Sequence, residues 1–308
     1  MHPRRYLARP ALSDFALVRD GRSTTFVRRG FEASAHLLGL AGDPPSGDTI
    51  SGGRARHPVV ALPDGSRAVV RRYHRGGAVR HVNRWTYFAG HRAFHELLAT
   101  ETARAAGVRV PLVLAATERR AGIGYHAWLA TQFLDGALES AAWLASASAD
   151  ARLAMLAEAG RQIGLMHGAG IAHPDLNLRN LLVTVSDTRA VGSAVSVGSD
   201  PTTGLTPSKD SADPRQSTEV LAPAASTNSA EVTGASPSIH PVVHLIDFDG
   251  AKLFDGPAPA SIRAANLRRL ARSARKLGAP IGPAGWAAMA EGYGAAWPLS
   301  AAETRDLG

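Results

Sequence analysis

The sequence predicts an α+β chain in two lobes, an antiparallel-sheet lobe followed by a mainly helical one. Three observations predict it. Residues 59–73 carry a hairpin pattern of two β-rich runs around a tight turn. Two more strand-like runs, VRVPLVLAAT and YHAWLATQFL, follow before residue 134, separated by the polar ERRAGIG. Beyond that point the two long apolar-periodic segments, residues 150–167 and 261–277, have the helical spacing of about 3.6.

Each element has a local cause. The runs PVVAL and RAVVRRY flank Pro63, Asp64, Gly65 and Ser66, which is strong turn chemistry. Residues 85–106 read as a helix with Phe94, Leu97, Leu98 and Thr102 on one face and Gly107 at its end. Residues 150–167 read as a second, with Leu153, Leu156, Ile163 and Met166 inward and Gly168 and Gly170 ending it. Short strands NLLVTV and VVHLIDF come next. A third helix spans residues 261–277. Ser261 is its expected N-cap, Leu267, Leu270, Ala274 and Leu277 form its apolar stripe, and Gly278 closes it. Its opposite face is densely basic.

Between the two short strands, residues 187–240 are dominated by Ser, Thr, Ala, Pro and Gly. That composition reads as a disordered insertion whose two flanking strands lie close together. Its acidic side chains outnumber its basic ones, so the remaining chain is more basic than the net charge of +8 indicates.

With 308 residues and 45% hydrophobic content, the chain can bury a sizeable core. The basic balance favours an anionic partner: nucleotide, nucleic acid or anionic membrane surface. There are no cysteines, which excludes disulfides and thiolate metal sites. No secretory leader and no membrane-spanning run is expected.

The chemistry is concentrated in two segments. Residues 173–180, His-Pro-Asp-Leu-Asn-Leu-Arg-Asn, fit H-x-D-L-x-x-x-N, and Leu245-Ile246-Asp247-Phe248-Asp249 follows after the insertion. Phosphoryl transfer loads negative charge onto oxygens, so metal ions and fixed charges must cradle it. Asp175 is the expected catalytic base toward a nucleophilic hydroxyl. Asn180 offers a neutral oxygen to a metal, and Asp247 an anionic one that bridges magnesium and the phosphates of ATP. His173 is expected to hold the loop. The pattern resembles that of protein kinases, which implies a protein-kinase-like two-lobed fold with a hinge at residues 131–135.

The pieces VVRRYHRGG, RAFHELLATETARAAGVRVP, GIAHPDLNLRNLLV, HLIDFDGAKL and NLRRLARSARKL occur in an order that resembles the lipopolysaccharide core kinases of Gram-negative bacteria. The resemblance is strongest to members that phosphorylate 3-deoxy-D-manno-octulosonic acid (Kdo). It covers roughly residues 50–280 apart from the insertion. It implies an ATP- and Mg2+-dependent kinase acting on the 4-hydroxyl of Kdo in Kdo-lipid A, peripheral on the cytoplasmic face of the inner membrane. By analogy with kinases, Arg71 takes the place of the strand lysine that clamps phosphates. Glu96 is then its partner on the following helix, and Glu101 the weaker candidate.

Some readings stay open. Ser51-Gly52-Gly53-Arg54 departs from a regular glycine-rich loop; Gly52 and Gly53 either approach phosphates with backbone N–H groups or form a linker turn. Asp249 either binds metal or caps the next turn. The run RRYHRGGAVRHVNRWTYFAGHR, with Arg75, Arg80 and Arg84, fits an anionic glycolipid acceptor, a solvated basic face or, least well, nucleic acid. The alternatives in function are a kinase for heptose, a small molecule or a protein, and a non-catalytic pseudokinase. The organisation read from these pieces is an N-terminal extension at 1–48, an N-lobe at 49–134 and a C-lobe at 135–308, interrupted at 187–240.

Overall fold

The computed structural model describes residues 6, 8–43, 48–52, 55–74, 86–88, 90–186 and 240–299. The insertion lies outside the described residues, except His240. The sheet lobe contains β1 (Phe15–Asp20), β2 (Ser23–Arg28), β3 (Thr49–Gly52), β4 (Ala55–Ala61) and β5 (Arg67–Arg72). Helix α1 (Arg92–Ala105), β6 (Val113–Ala121) and β7 (Gly124–Gln132) complete it. These strands form one seven-stranded sheet in the order β1-β2-β6-β7-β5-β4-β3, with every neighbouring pair antiparallel. Strands β1 and β2 come from the segment expected as an N-terminal extension, and they extend the sheet beyond β6.

The expected hairpin is present, with Val59 opposite Val69 and Gly65 at φ +81° in the turn. The α1 start differs from expectation. Residues 86–88 are not helical: Tyr87 exchanges two backbone hydrogen bonds with Tyr125, each 2.8 Å. Gly90, at φ +80°, then redirects the chain into α1. Phe94 and Leu97 pack fully buried against one face of the sheet, where Phe94 meets Phe26 edge-on at 4.8 Å. Leu38 and Trp128 belong to the core on the other face.

The second lobe comprises β8 (Leu138–Glu139), α2 (Ser140–Ser146), α3 (Ala149–Gly168), β9 (Ile171–Ala172), β10 (Leu181–Ser186), β11 (His240–Leu245), β12 (Lys252–Leu253), α4 (Ala260–Lys276) and α5 (Pro283–Ala296). Leu156, Ile163 and Met166 of α3 are buried as expected, but Leu153 is exposed. Helix α4 is capped at Pro259 with no side-chain bond, so Ser261 sits inside the helix rather than at its cap. Strands β10 and β11 pair antiparallel from Leu181↔Leu245 to Ser186↔His240, which brings the two flanks of the insertion together.

Helix α5 has no counterpart in the sequence reading. It packs on α3 through glycine. A Cβ on Gly160 would stand 2.0 Å from the Met289 carbonyl oxygen, and one on Gly292 1.9 Å from that of Ala157. Backbone atoms cannot yield as a flexible side chain can. Gly160→Ala is therefore expected to lower stability by about 1–3 kcal/mol, the usual cost of overpacking. In thermal unfolding this reads as a drop of several degrees in Tm. An unchanged Tm would show that the two helices part freely.

Candidate active site

Strand alternation aims Arg71 at α1. Ala68 and Val70 point into the core on one side of β5, whereas Tyr73 joins the α1 side. Glu96, on the inner face of α1, is buried. Its carboxylate accepts from the Arg71 guanidinium and from the Tyr73 hydroxyl. The other arm of Arg71, Nη1, donates to Asp247 Oδ1 at 2.8 Å. A planar fork thus joins the helix carboxylate to the acidic loop of the second lobe, a geometry that a single ammonium does not reproduce. Glu101 pairs instead with Arg28 at 2.5 Å and with Arg104, away from this cluster.

Burial pushes the Glu96 carboxyl up to about 7, opposed by the Arg71 charge and reinforced by Asp247 and Asp249. Burial works against the charge on Arg71, yet Glu96, Tyr73 and Asp247 hold it well above its ordinary value. Burial, with help from Arg71 and His74, lowers His57 on β4 to about 4, so this imidazole is neutral. Arg71→Lys should reduce kcat/KM for ATP by about tenfold or more, since one charge-assisted hydrogen bond contributes about 1.5–3 kcal/mol. Steady-state kinetics across ATP concentrations test this; wild-type values would mean that a point charge suffices.

The catalytic-loop segment follows β9, which pairs with β12 through Ala172↔Lys252 and Ile171↔Leu253. This small ladder sets the two acidic segments side by side. His173 is fully buried and does what was expected of it. Its Nδ1 accepts the Asp175 N–H at 3.2 Å, and its Nε2 donates to the Ile246 carbonyl at 3.0 Å. Burial holds its pKa down, consistent with this neutral tautomer. The Asp175 carbonyl accepts from both Asn177 and Asn180 side-chain amides, each at 2.9 Å. Its carboxylate is left 63% exposed, open to a hydroxyl arriving from solvent.

Asn180 also binds the far segment through its carbonyl, which accepts the Ile246 N–H at 3.0 Å. Asp247 comes one residue later, at φ +64°, the sole positive φ outside glycine among the described residues. Such a conformation costs about 1–3 kcal/mol and persists where surrounding structure enforces it. Here Arg71 and the Ile246 bonds do so. Both Asp249 oxygens engage Arg92 of α1, one through Nε at 2.6 Å and the other through Nη2. Arg92 and Glu96, four residues apart on one face of α1, therefore grip the acidic turn, directly and through Arg71.

Asp175, Asn180, Asp247, Arg71 and Glu96 are thus assembled as the sequence reading required. Gly52 ends β3, next to its Ala55 pairing on β4; Gly53, Arg75, Arg80 and Arg84 lie outside the described residues. The sequence reading missed Tyr73, the Arg92–Asp249 pair and three α4 side chains, Asn266, Arg269 and Ser273, that reach the loop. The donor set suits magnesium. One partly exposed carboxylate and one amide oxygen, with room for water and phosphates, is what this small octahedral ion takes from kinase sites. Among the described residues there is no group of three acidic or histidine side chains that would hold a metal alone.

Residues 48–194 match the lipopolysaccharide kinase (Kdo/WaaP) family. The match falls on the family whose resemblance was read from the sequence, over a little under half of the chain. A 3-deoxy-D-manno-octulosonic acid kinase of Vibrio vulnificus is 32% identical over 140 residues, covering 44% of this chain and 58% of that protein. Its namesake from Xanthomonas oryzae pv. oryzae is 38% identical over 143 residues, covering 42% and 53%. The chain therefore matches a little over half the length of these curated relatives. Among solved structures, WaaP in complex with acyl carrier protein is 17% identical and covers 86% of this chain and 82% of its own, at a TM-score of 0.48.

Proposed function

We propose that this chain is a kinase that transfers the γ-phosphoryl group of ATP to the 4-hydroxyl of Kdo in Kdo-lipid A, during lipopolysaccharide core assembly. One observation carries the reading. The Asp175 carboxylate stands open on a loop whose backbone is fixed by His173 and Asn180, directly beside the Asp247 turn. The family match and the curated relatives support a sugar hydroxyl as acceptor.

In this reading Asp175 receives the acceptor hydroxyl within hydrogen-bond reach and takes its proton as the phosphoryl group leaves ATP. Asn180 and Asp247 hold Mg2+, which when bound offsets charge on the phosphate oxygens. Arg71, steadied by Glu96, keeps Asp247 oriented and presents its charge at the same place. Arg75, Arg80 and Arg84, with the basic run around them, hold the anionic glycolipid, and Gly52 and Gly53 approach the nucleotide. Acceptor and enzyme meet at the cytoplasmic face of the inner membrane. No helix among the described residues is long and apolar enough to cross a membrane.

The test is mass spectrometry of Kdo-lipid A incubated with the protein, Mg2+ and ATP. One added phosphate on the Kdo unit is expected, and its position is fixed by fragmentation. ATP turnover on a heptose acceptor alone would reassign the substrate. No phosphate on any acceptor, with nucleotide still bound, would make the protein a pseudokinase.

A further inference from the structure

Helix α4 runs along the catalytic loop and touches it at three successive turns of one face. Asn266 Oδ1 accepts the His173 N–H at 3.1 Å, and Ser273 Oγ accepts the Leu178 N–H at 3.3 Å. Between them, Arg269 places Nη1 3.7 Å from Asp175 Oδ1. Spacings of three and four residues put 266, 269 and 273 on one side of a helix. The register is firmly set. Asn266 Oδ1 also accepts from His167 Nε2 at 3.1 Å, and the Tyr293 hydroxyl donates to His167 Nδ1 at 2.8 Å. Leu267 and Leu270 are buried beside them. Arg269 is thus carried to the open side of Asp175 by a fixed scaffold.

The pair does little for stability. It is long, and its side chains are 47% and 63% exposed. Pairs of that kind contribute between nothing and about 1 kcal/mol. No other ion pair of Arg269 occurs among the described residues, and its half-exposed side chain lies beside the residue that receives the acceptor hydroxyl. A guanidinium fork in that position matches a carboxylate in plane and charge. We propose that Arg269 is a specificity-determining residue that binds a carboxylate carried by the acceptor sugar close to the reacting hydroxyl. On Kdo the carboxylate stands two ring carbons from the 4-hydroxyl, so one sugar can meet Arg269 and Asp175 together. The inference rests on the sugar-acid acceptor proposed above. It assigns recognition at the reacting ring to α4, separate from the basic run at Arg75, Arg80 and Arg84.

The experiment compares the acceptor as its free acid with the same acceptor as a methyl ester, whose carboxyl group is neutral. For wild type, kcat/KM should favour the acid by roughly 10- to 100-fold, the scale of a hydrogen bond between charged groups. In Arg269→Gln that ratio should collapse to within about threefold of unity, and Arg269→Lys should keep part of it, because a point charge is weaker than a fork. Arg275→Gln, exposed on another side of α4, should keep the wild-type ratio. The ratio is taken within each variant, so a reduced folded fraction does not alter it. A wild-type ratio in Arg269→Gln overturns the inference while leaving the acceptor reading intact. So does an equal fall for acid and ester, which would place Arg269 on the transferred phosphoryl group instead. A wild-type protein that phosphorylates neither form overturns both readings.

Discussion

Asp175→Asn is expected to slow phosphoryl transfer by two to four orders of magnitude while leaving ATP affinity within about twofold. A positioned general base typically contributes about 10²–10⁴-fold. The substitution is unusually clean here, because the fold uses the backbone of Asp175 and not its carboxylate. Its N–H is held by His173, and its carbonyl by Asn177 and Asn180. Asparagine preserves all three bonds and nearly the same shape. The carboxylate's one ion pair among the described residues, the loose contact with Arg269, is too exposed to matter for stability. Single-turnover kinetics with calorimetric ATP binding separate the two quantities. If the variant retains more than a tenth of wild-type turnover, the proton goes elsewhere and Asp175 is not the base.

The two segments of the candidate site were legible because their structure is locally determined. The spacing from His173 to Asn180 specifies one loop, and the apolar run before Asp247 specifies a strand end beside it. Glu96 was preferred over Glu101 by analogy, and the structure agrees for a reason that analogy did not contain. Glu101 is taken by Arg28, on a strand whose place beside β6 is a long-range pairing. Arg92 was hidden for a related reason. A charge inside a basic run reads as surface, and its carboxylate partner lies 157 residues away. Helix α5 left no apolar stripe, since its contact with α3 is made through glycine and backbone rather than spaced large side chains. At α1 the helical period ran on into residues 86–88, where the backbone pairs with Tyr125 instead. Arg269 was legible as part of a basic helix face, but its position beside Asp175 depends on the Asn266 and Ser273 bonds.

Asp247→Ala should lower affinity for Mg-ATP by roughly 100-fold or more and abolish turnover, since a metal-held charge contributes several kcal/mol. Two effects must be kept apart. Alanine loses the carboxylate, but it also sits poorly at φ +64°, where Asn and Asp are tolerated best. Asp247→Asn keeps the shape and suits that backbone while removing the charge. If the carboxylate holds Mg2+, both variants should fail with Mg-ATP, and binding of metal-free ATP should change by less than about threefold in the asparagine variant. Loss confined to alanine would instead identify backbone strain as the cause. Removing the charge also frees one arm of Arg71, whose other arm remains on Glu96. The lobe contact through Arg92 and Asp249 is untouched, so the acidic turn should keep its place. Calorimetry with and without magnesium reads these outcomes directly, and an unchanged Mg-ATP affinity in both variants would take Asp247 out of the metal site.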